Sequence, residues 1–214
     1  SFTTKPSREE VSELRSFLFL YPIRAYIDQE LPAFNRQLIL ERLNAIINAR
    51  YRQNGYQIYW LLFGAEHNPE EPDFALLEPR IKIHDADRVI SAGLSLKRHR
   101  RRIYPSPKKI LSRLDLASEL VVGGFHQDDC VKRIARQAYN NGLKVFVDED
   151  TTDQYFITLI LWEFPPVVRT REQYATRLLW NLRSNRGTQP YWLAEVAIKN
   201  QRADRRKQPW LVQI

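Results

Sequence analysis

Apolar and polar positions along this chain switch between a period of two and a period near 3.6, and the clearest switch lies between Glu119 and Asp150. Leu120, Val121 and Val122 form a short unbroken apolar run, as a strand covered on both faces requires, and Gly123 and Gly124 end it. Val131, Ile134, Ala135, Ala138 and Tyr139 then recur at i, i+3, i+4, i+7 and i+8. They make one apolar stripe on a helix whose outer side carries Lys132, Arg133, Arg136 and Gln137. Asp128 or Asp129 can cap its start, Gly142 stands where a left-handed stop is wanted, and Leu143 to Val147 alternates into a second strand. The unit is βαβ, with Cys130 at the first turn of the helix.

The remaining pattern extends this alternation. Ser7 to Glu10 reads as a helix start, with Ser7 as N-cap. The apolar run from Leu18 to Ile27 predicts a first strand, bent or at an edge because Pro22 lacks a ladder donor. Leu38, Leu43, Ile46 and Ile47 predict a helix over 33–53 that stops at Asn54-Gly55. Tyr56 to Phe63 reads as a central strand, and the proline-rich segment 66–79 as a loop with a short turn at 74–77. Arg88 to Leu96 is a third strand. Tyr104-Pro105-Ser106-Pro107 is a rigid turn that starts a helix through Ile110, Leu111 and Leu114. Tyr155 to Phe164, Glu172 to Arg183 and Tyr191 to Ile198 continue as strand, helix and strand.

Strands alternating with helices predict an α/β fold, a Rossmann-like three-layer α/β/α arrangement with a mostly parallel sheet. The length of 214 residues and the apolar content of 43% suit a single α/β domain over 1–214. Residues 151–214 extend it, and 1–7 are expected to be disordered. Trp162, Trp180, Trp192, Tyr174 and Tyr191 read as core aromatics or as a recognition surface.

Charge changes the picture more than composition does. The net charge is +8 and the pI about 9.7, a balance that favours anionic partners. Lys97, Arg98, Arg100, Arg101, Arg102, Lys108 and Lys109 fall within 13 positions, and no acidic residue lies between Arg88 and Arg113. Such a run is either a solvated loop or an anion-binding segment for nucleic acid, another polyanion or an acidic protein. Lys199, Arg202, Arg205, Arg206 and Lys207 form a second, weaker cluster. One cysteine excludes an internal disulfide, and no apolar run reaches membrane-spanning length, so a cytoplasmic protein without a membrane partner is the expectation. A protein partner or a homo-oligomer is compatible with the same surface.

Cys130 is the candidate for chemistry. Strand ends beside helix N-termini are where open α/β sheets place sites, and a helix dipole favours a thiolate there. Asp128 and Asp129 oppose that effect. A small buried apolar residue is the alternative reading of this cysteine.

The string Gly124-Phe125-His126-Gln127-Asp128-Asp129-Cys130-Val131, followed in register by Ala135, Ala138, Gly142, Val145 and Asp150, resembles the cysteine segment of the isochorismatase-like hydrolases, a family that includes nicotinamidases and related amidases. The resemblance implies a Rossmann-like sheet with helices on both faces and Cys130 as nucleophile. It also implies an aspartate at the end of the first strand and a lysine after a later one. Asp28 is the aspartate candidate if the strand runs to Ile27, whereas Tyr21 takes its place if the strand is Leu18 to Leu20. The lysine position falls near Ala92, and Lys97 is reached only through an insertion. Some members carry metal ligands, which Glu66-His67-Asn68-Pro69 matches only in outline, so neither metal nor cofactor is expected.

Three functions follow as expectations. One is a diverged isochorismatase-like protein, catalytically weak or inactive, that binds an anionic partner through 97–109. The second is an active cysteine hydrolase of a small anionic amide, with Cys130 as nucleophile and Asp28 as base. The third is a Mg²⁺-dependent nuclease using Asp28, Asp128, Asp129 and Asp150.

Overall fold

A computed structural model describes residues 14–31, 33, 36–115, 118–153 and 212–213. Its centre is a six-stranded sheet in the order β3-β2-β1-β4-β5-β6. The strands are β1 (Arg15–Leu20), β2 (Gln57–Gly64), β3 (Arg88–Ser95), β4 (Glu119–Gly124), β5 (Lys144–Thr152) and β6 (Val212–Gln213). The first five pair in parallel, and β6 pairs antiparallel with β5 at one edge. The expected helix start at Ser7 and the expected elements at 155–164, 172–183 and 191–198 lie outside the described residues, as do the aromatics Trp162, Tyr174, Trp180, Tyr191 and Trp192 and the C-terminal basic cluster.

The period of two sorts β1 between two cores. Phe17 and Phe19 pack with Ile39, Leu40, Leu43, Ile47, Trp60 and Val121 on the face covered by α2 (Arg36–Arg50). Leu18 and Leu20 point the other way. They pack with Ile110 and Leu111 of α4 (Pro107–Ser112) and with Ile134, Ala135 and Ala138 of α5 (Lys132–Asn140). Both sets are buried to within a few per cent, so the sheet is covered on both faces and three layers result. The hydrophobic driving force is correspondingly large, about 1.5–3 kcal/mol for each large apolar side chain removed from water.

The βαβ reading of 119–150 holds in outline. Gly142 has φ +86° and closes α5 in the left-handed region. The start of the helix differs from expectation. A wide turn over Gln127–Val131 precedes α5, and Asp129 does not cap it but pairs one turn ahead with Arg133 at 3.0 Å.

The first strand is also corrected. β1 ends at Leu20, Tyr21 has φ 59°, and Pro22 has no N–H to continue the ladder. The chain then enters α1 (Arg24–Glu30), and its N-cap Ile23 with Tyr26 and Ile27 recur at i, i+3 and i+4 and turn inward as a helix stripe, not as strand alternation.

One buried ionic group ties the layers together. The Asp148 carboxylate on β5 accepts two hydrogen bonds from Arg50 at 2.9 Å and a short one from the Tyr51 hydroxyl, which fixes the end of α2 against the sheet.

Candidate functional site

Consecutive strands run outward from β1 to β3 and then return to β4 on the other side of β1. The carboxyl ends of β1 and β4 therefore border the crevice where open α/β sheets hold ligands. Leu20 is paired with Gly124, and the Phe125 N–H donates to the Leu20 carbonyl at 3.0 Å. Gly124 has φ +95°, and a Cβ there would lie 2.2 Å from the Leu20 carbonyl oxygen, so only glycine lets the two strand ends approach this closely. The peptide between Phe125 and His126 is cis. The chain then turns through Gln127–Val131 and delivers Cys130 into the α5 side of the crevice.

There the sulfur meets Tyr21, the residue that follows β1. The Tyr21 hydroxyl hydrogen-bonds Cys130, and both side chains are buried, Tyr21 at 1% and Cys130 at 7% exposure. Burial pushes the Cys130 thiol up, the neighbouring Asp129 carboxylate adds to the rise, and the result is a pKa of about 12 in spite of opposite contributions from Tyr21 and Arg133. Burial likewise raises Tyr21 and Tyr26 well above the ordinary phenol value. This environment favours the neutral thiol over the thiolate.

The space in front of it is occupied by aromatic rings. Tyr21 lies flat on Phe63 at the end of β2, with ring centroids 4.0 Å apart and planes 4° from parallel. Tyr26 meets Tyr21 and Phe63 edge-on at 6.1 and 6.2 Å. His99 lies 5.0 Å from Phe63 and 5.4 Å from Tyr104, whose ring is covered by the Arg133 guanidinium at 3.8 Å. These residues come from four separate parts of the sequence. Offset and edge-on packing of this kind stabilises by about 0.5–1.5 kcal/mol per pair beyond the area buried.

The candidate residues do not all converge. Asp28 is on α1, its side chain 56% exposed and paired with Arg36 at 3.2 Å. The groups that act on the Cys130 thiol are Asp129, Tyr21 and Arg133, and neither Asp28 nor Lys97 is among them. Asp129 faces Arg133. His67 is exposed and lies 3.8 Å from Glu71. Among the described residues, no three His, Cys, Asp or Glu side chains gather as a metal site would need. A buried polar group does adjoin the crevice. His126 Nε2 lies 3.1 Å from Glu30, and Asp153 accepts from the Gln127 N–H at 2.8 Å. Burial raises the Asp153 carboxyl above its ordinary value.

The basic segment begins at the end of β3. Ser95 caps α3 (Leu96–His99) by accepting from the Arg98 N–H at 3.3 Å, Arg102 turns the chain at φ 62°, and Ser106 caps α4 in the same way. Lys97, Arg98, Arg100, Arg101, Arg102, Lys108 and Lys109 are all exposed, and none pairs with a carboxylate among the described residues. Lys97, Arg100 and Arg101 line one side of a cleft of about 510 Å³, with Glu66 and Asp73 among its other lining residues.

Sequence reasoning overlooked Tyr26, Phe63, His99, Tyr104 and Arg133 as parts of this site. The Tyr21-Pro22 break was the available signal for the first-strand end, and with it for Tyr21.

No protein-family profile matches the sequence, and no curated protein matches it significantly. Solved structures similar to this chain include several described as isochorismatases and an amidase. An isochorismatase from Pseudomonas putida KT2440 aligns at TM-score 0.44 and 14% identity, over 71% of this chain and 86% of its own. N-carbamoylsarcosine amidase from Thermoplasma acidophilum aligns at TM-score 0.46 and 15% identity, over 77% and 92%. A protein from Leishmania major described as a candidate Mar1 ribonuclease aligns at TM-score 0.44 and 14% identity, over 80% and 86%. No helix among the described residues is long and apolar enough to cross a membrane.

Proposed function

We propose that this chain is a non-hydrolytic protein built on the isochorismatase-like fold, and that it binds a polyanion through the basic segment 97–109. The observation that carries the first half is the contact between Tyr21 and Cys130. A cysteine hydrolase needs a base beside the sulfur to generate thiolate. Here that place is held by a buried phenol, which is itself protonated near neutral pH and cannot take the thiol's proton, and the thiol stays protonated up to about pH 12. The alternative, hydrolysis of a small anionic amide with Asp28 as base, requires a carboxylate that instead faces Arg36 from an exposed helix surface.

The second half rests on charge. Seven exposed cations without described carboxylate partners, in a chain of net charge +8, attract phosphate or sulfate groups and release their counterions on binding. The test is elution from heparin-agarose by salt. The wild-type chain is expected to be retained at about physiological ionic strength, and Arg100→Gln/Arg101→Gln/Arg102→Gln to elute at clearly lower salt with an unchanged circular dichroism spectrum. Flow-through of the wild type, or unchanged elution of the triple variant, contradicts the reading.

A further inference from the structure

Within the basic segment two apolar side chains stand exposed where an ordinary solvated loop would be polar. Ile103 is 39% and Tyr104 41% exposed, and they are flanked by Arg100, Arg101 and Arg102 on one side and by Lys108 and Lys109 on the other. Tyr104 is not a loose side chain. Arg133 covers its ring at 3.8 Å, His99 meets it edge-on at 5.4 Å, and the following Pro105 is buried and fixes the backbone. A ring held in place yet partly open, with cations spaced along the same chain, is the arrangement that stacks a base while holding its neighbouring phosphates.

We propose that the polyanion is single-stranded nucleic acid, with a base stacked on Tyr104 and the flanking phosphates held by Arg100, Arg101, Arg102, Lys108 and Lys109. This rests on the polyanion reading above and narrows it. The choice of a single strand follows from what the surface offers. An open ring and a cleft of about 510 Å³ both suit an unstacked nucleotide, and a duplex keeps its bases inside its stack. Glu66 and Asp73, among the cleft's lining residues, suit the ring N–H of an unpaired uracil or thymine, just as Lys97, Arg100 and Arg101 suit its phosphate. An acidic protein would satisfy the arginines but would leave the exposed ring and the cleft without a role.

The experiment measures binding of fluorescent oligouridylate to the whole chain by anisotropy, beside a duplex of equal length, polyglutamate and heparin elution. Oligouridylate is expected to bind more tightly than duplex or polyglutamate, and oligodeoxythymidylate to match it, because stacking and phosphate contacts do not read the 2′-hydroxyl. Tyr104→Ala is expected to weaken oligouridylate about tenfold while heparin elution stays unchanged, and Tyr104→Phe is expected to restore wild-type affinity. The logarithm of the binding constant should fall with the logarithm of salt, and Arg101→Gln/Arg102→Gln should flatten that slope by about 1.4. Heparin retention with oligouridylate binding indifferent to Tyr104→Ala, or with polyglutamate bound as tightly, overturns the nucleic-acid assignment and leaves the polyanion reading standing. Failure to bind either heparin or oligouridylate overturns both.

Discussion

The Tyr21 hydroxyl meets the Cys130 sulfur where β1 and β4 end side by side, and the Tyr21 ring lies flat on Phe63 at 4.0 Å. One side chain thus shields the sulfur and fills the crevice. Tyr21→Phe keeps the ring and deletes a hydrogen bond that favoured the thiolate. It is expected to leave the fold intact at a cost of about 1 kcal/mol and to make Cys130 still slower to alkylate. Tyr21→Ala opens a cavity at a cost of about 3–5 kcal/mol and exposes the sulfur, so alkylation should accelerate. Urea unfolding and disulfide-reagent kinetics on the two variants check this pair, and faster labelling of Tyr21→Phe than of wild type would contradict it.

Arg50 and Asp148 make a second claim on stability. Both Arg50–Asp148 hydrogen bonds end on a carboxylate whose side chain has no exposure. Removing the cation alone leaves that charge buried, so Arg50→Met is expected to cost about 3 kcal/mol or more. Arg50→Met/Asp148→Leu is expected to cost less than the two single changes added, because no charge is then left buried without its counterion and only the Tyr51 hydroxyl loses its acceptor. A double-mutant cycle from urea midpoints measures the coupling, and strict additivity would show that the pair contributes nothing.

Asp87 sets part of the response to acid. Burial pushes its carboxyl up, but Arg52, the His84 N–H and the Trp60 indole N–H outweigh burial and hold it below the usual carboxylate value. The folded state therefore gives up this proton at lower pH than the unfolded chain does. The resulting stability is complete above about pH 4 and is lost as pH falls through the folded value. Asp87→Asn is expected to lower stability at neutral pH and to flatten the decline between pH 4 and lower pH. Thermal unfolding as a function of pH decides this, and an acid limb parallel to that of the wild type would contradict it.

What the sequence made legible was local. The strand at Leu120 to Val122, the α5 stripe of Val131, Ile134, Ala135 and Ala138 and the left-handed stop at Gly142 each depend on residues within a few positions of one another, so periodicity shows them; Tyr139, which the same period places on that stripe, is 49% exposed. The capped start of α4 at Ser106 is legible for the same reason. The first strand is shorter than its apolar run, because Ile23, Tyr26 and Ile27 extend that run past the strand's end. Only their spacing, together with Pro22, separates a strand from a strand end followed by a short helix.

The site was harder to read because it is non-local. Tyr21, Phe63, His99, Tyr104 and Arg133 meet only after five strand ends and turns have been placed, and no window of sequence contains the stack. Asp28 looked like a base because it follows an apolar run. The helical turn carries it instead to the exposed surface beside Arg36. The basic segment was visible from its charge alone, but the support of Tyr104 by Arg133 requires α5 to lie beside it.

The proposed absence of hydrolysis rests on Cys130 being a buried neutral thiol. Its alkylation by iodoacetamide, followed by mass spectrometry as a function of pH on the folded chain, tests that most directly. Labelling is expected to be far slower than that of free cysteine at about pH 8, with a rate still rising toward the thiol's value of about 12 and no plateau near the ordinary thiol range. A rate at neutral pH equal to or above that of free cysteine, levelling off below about pH 8.5, would show a reactive thiolate and contradict it.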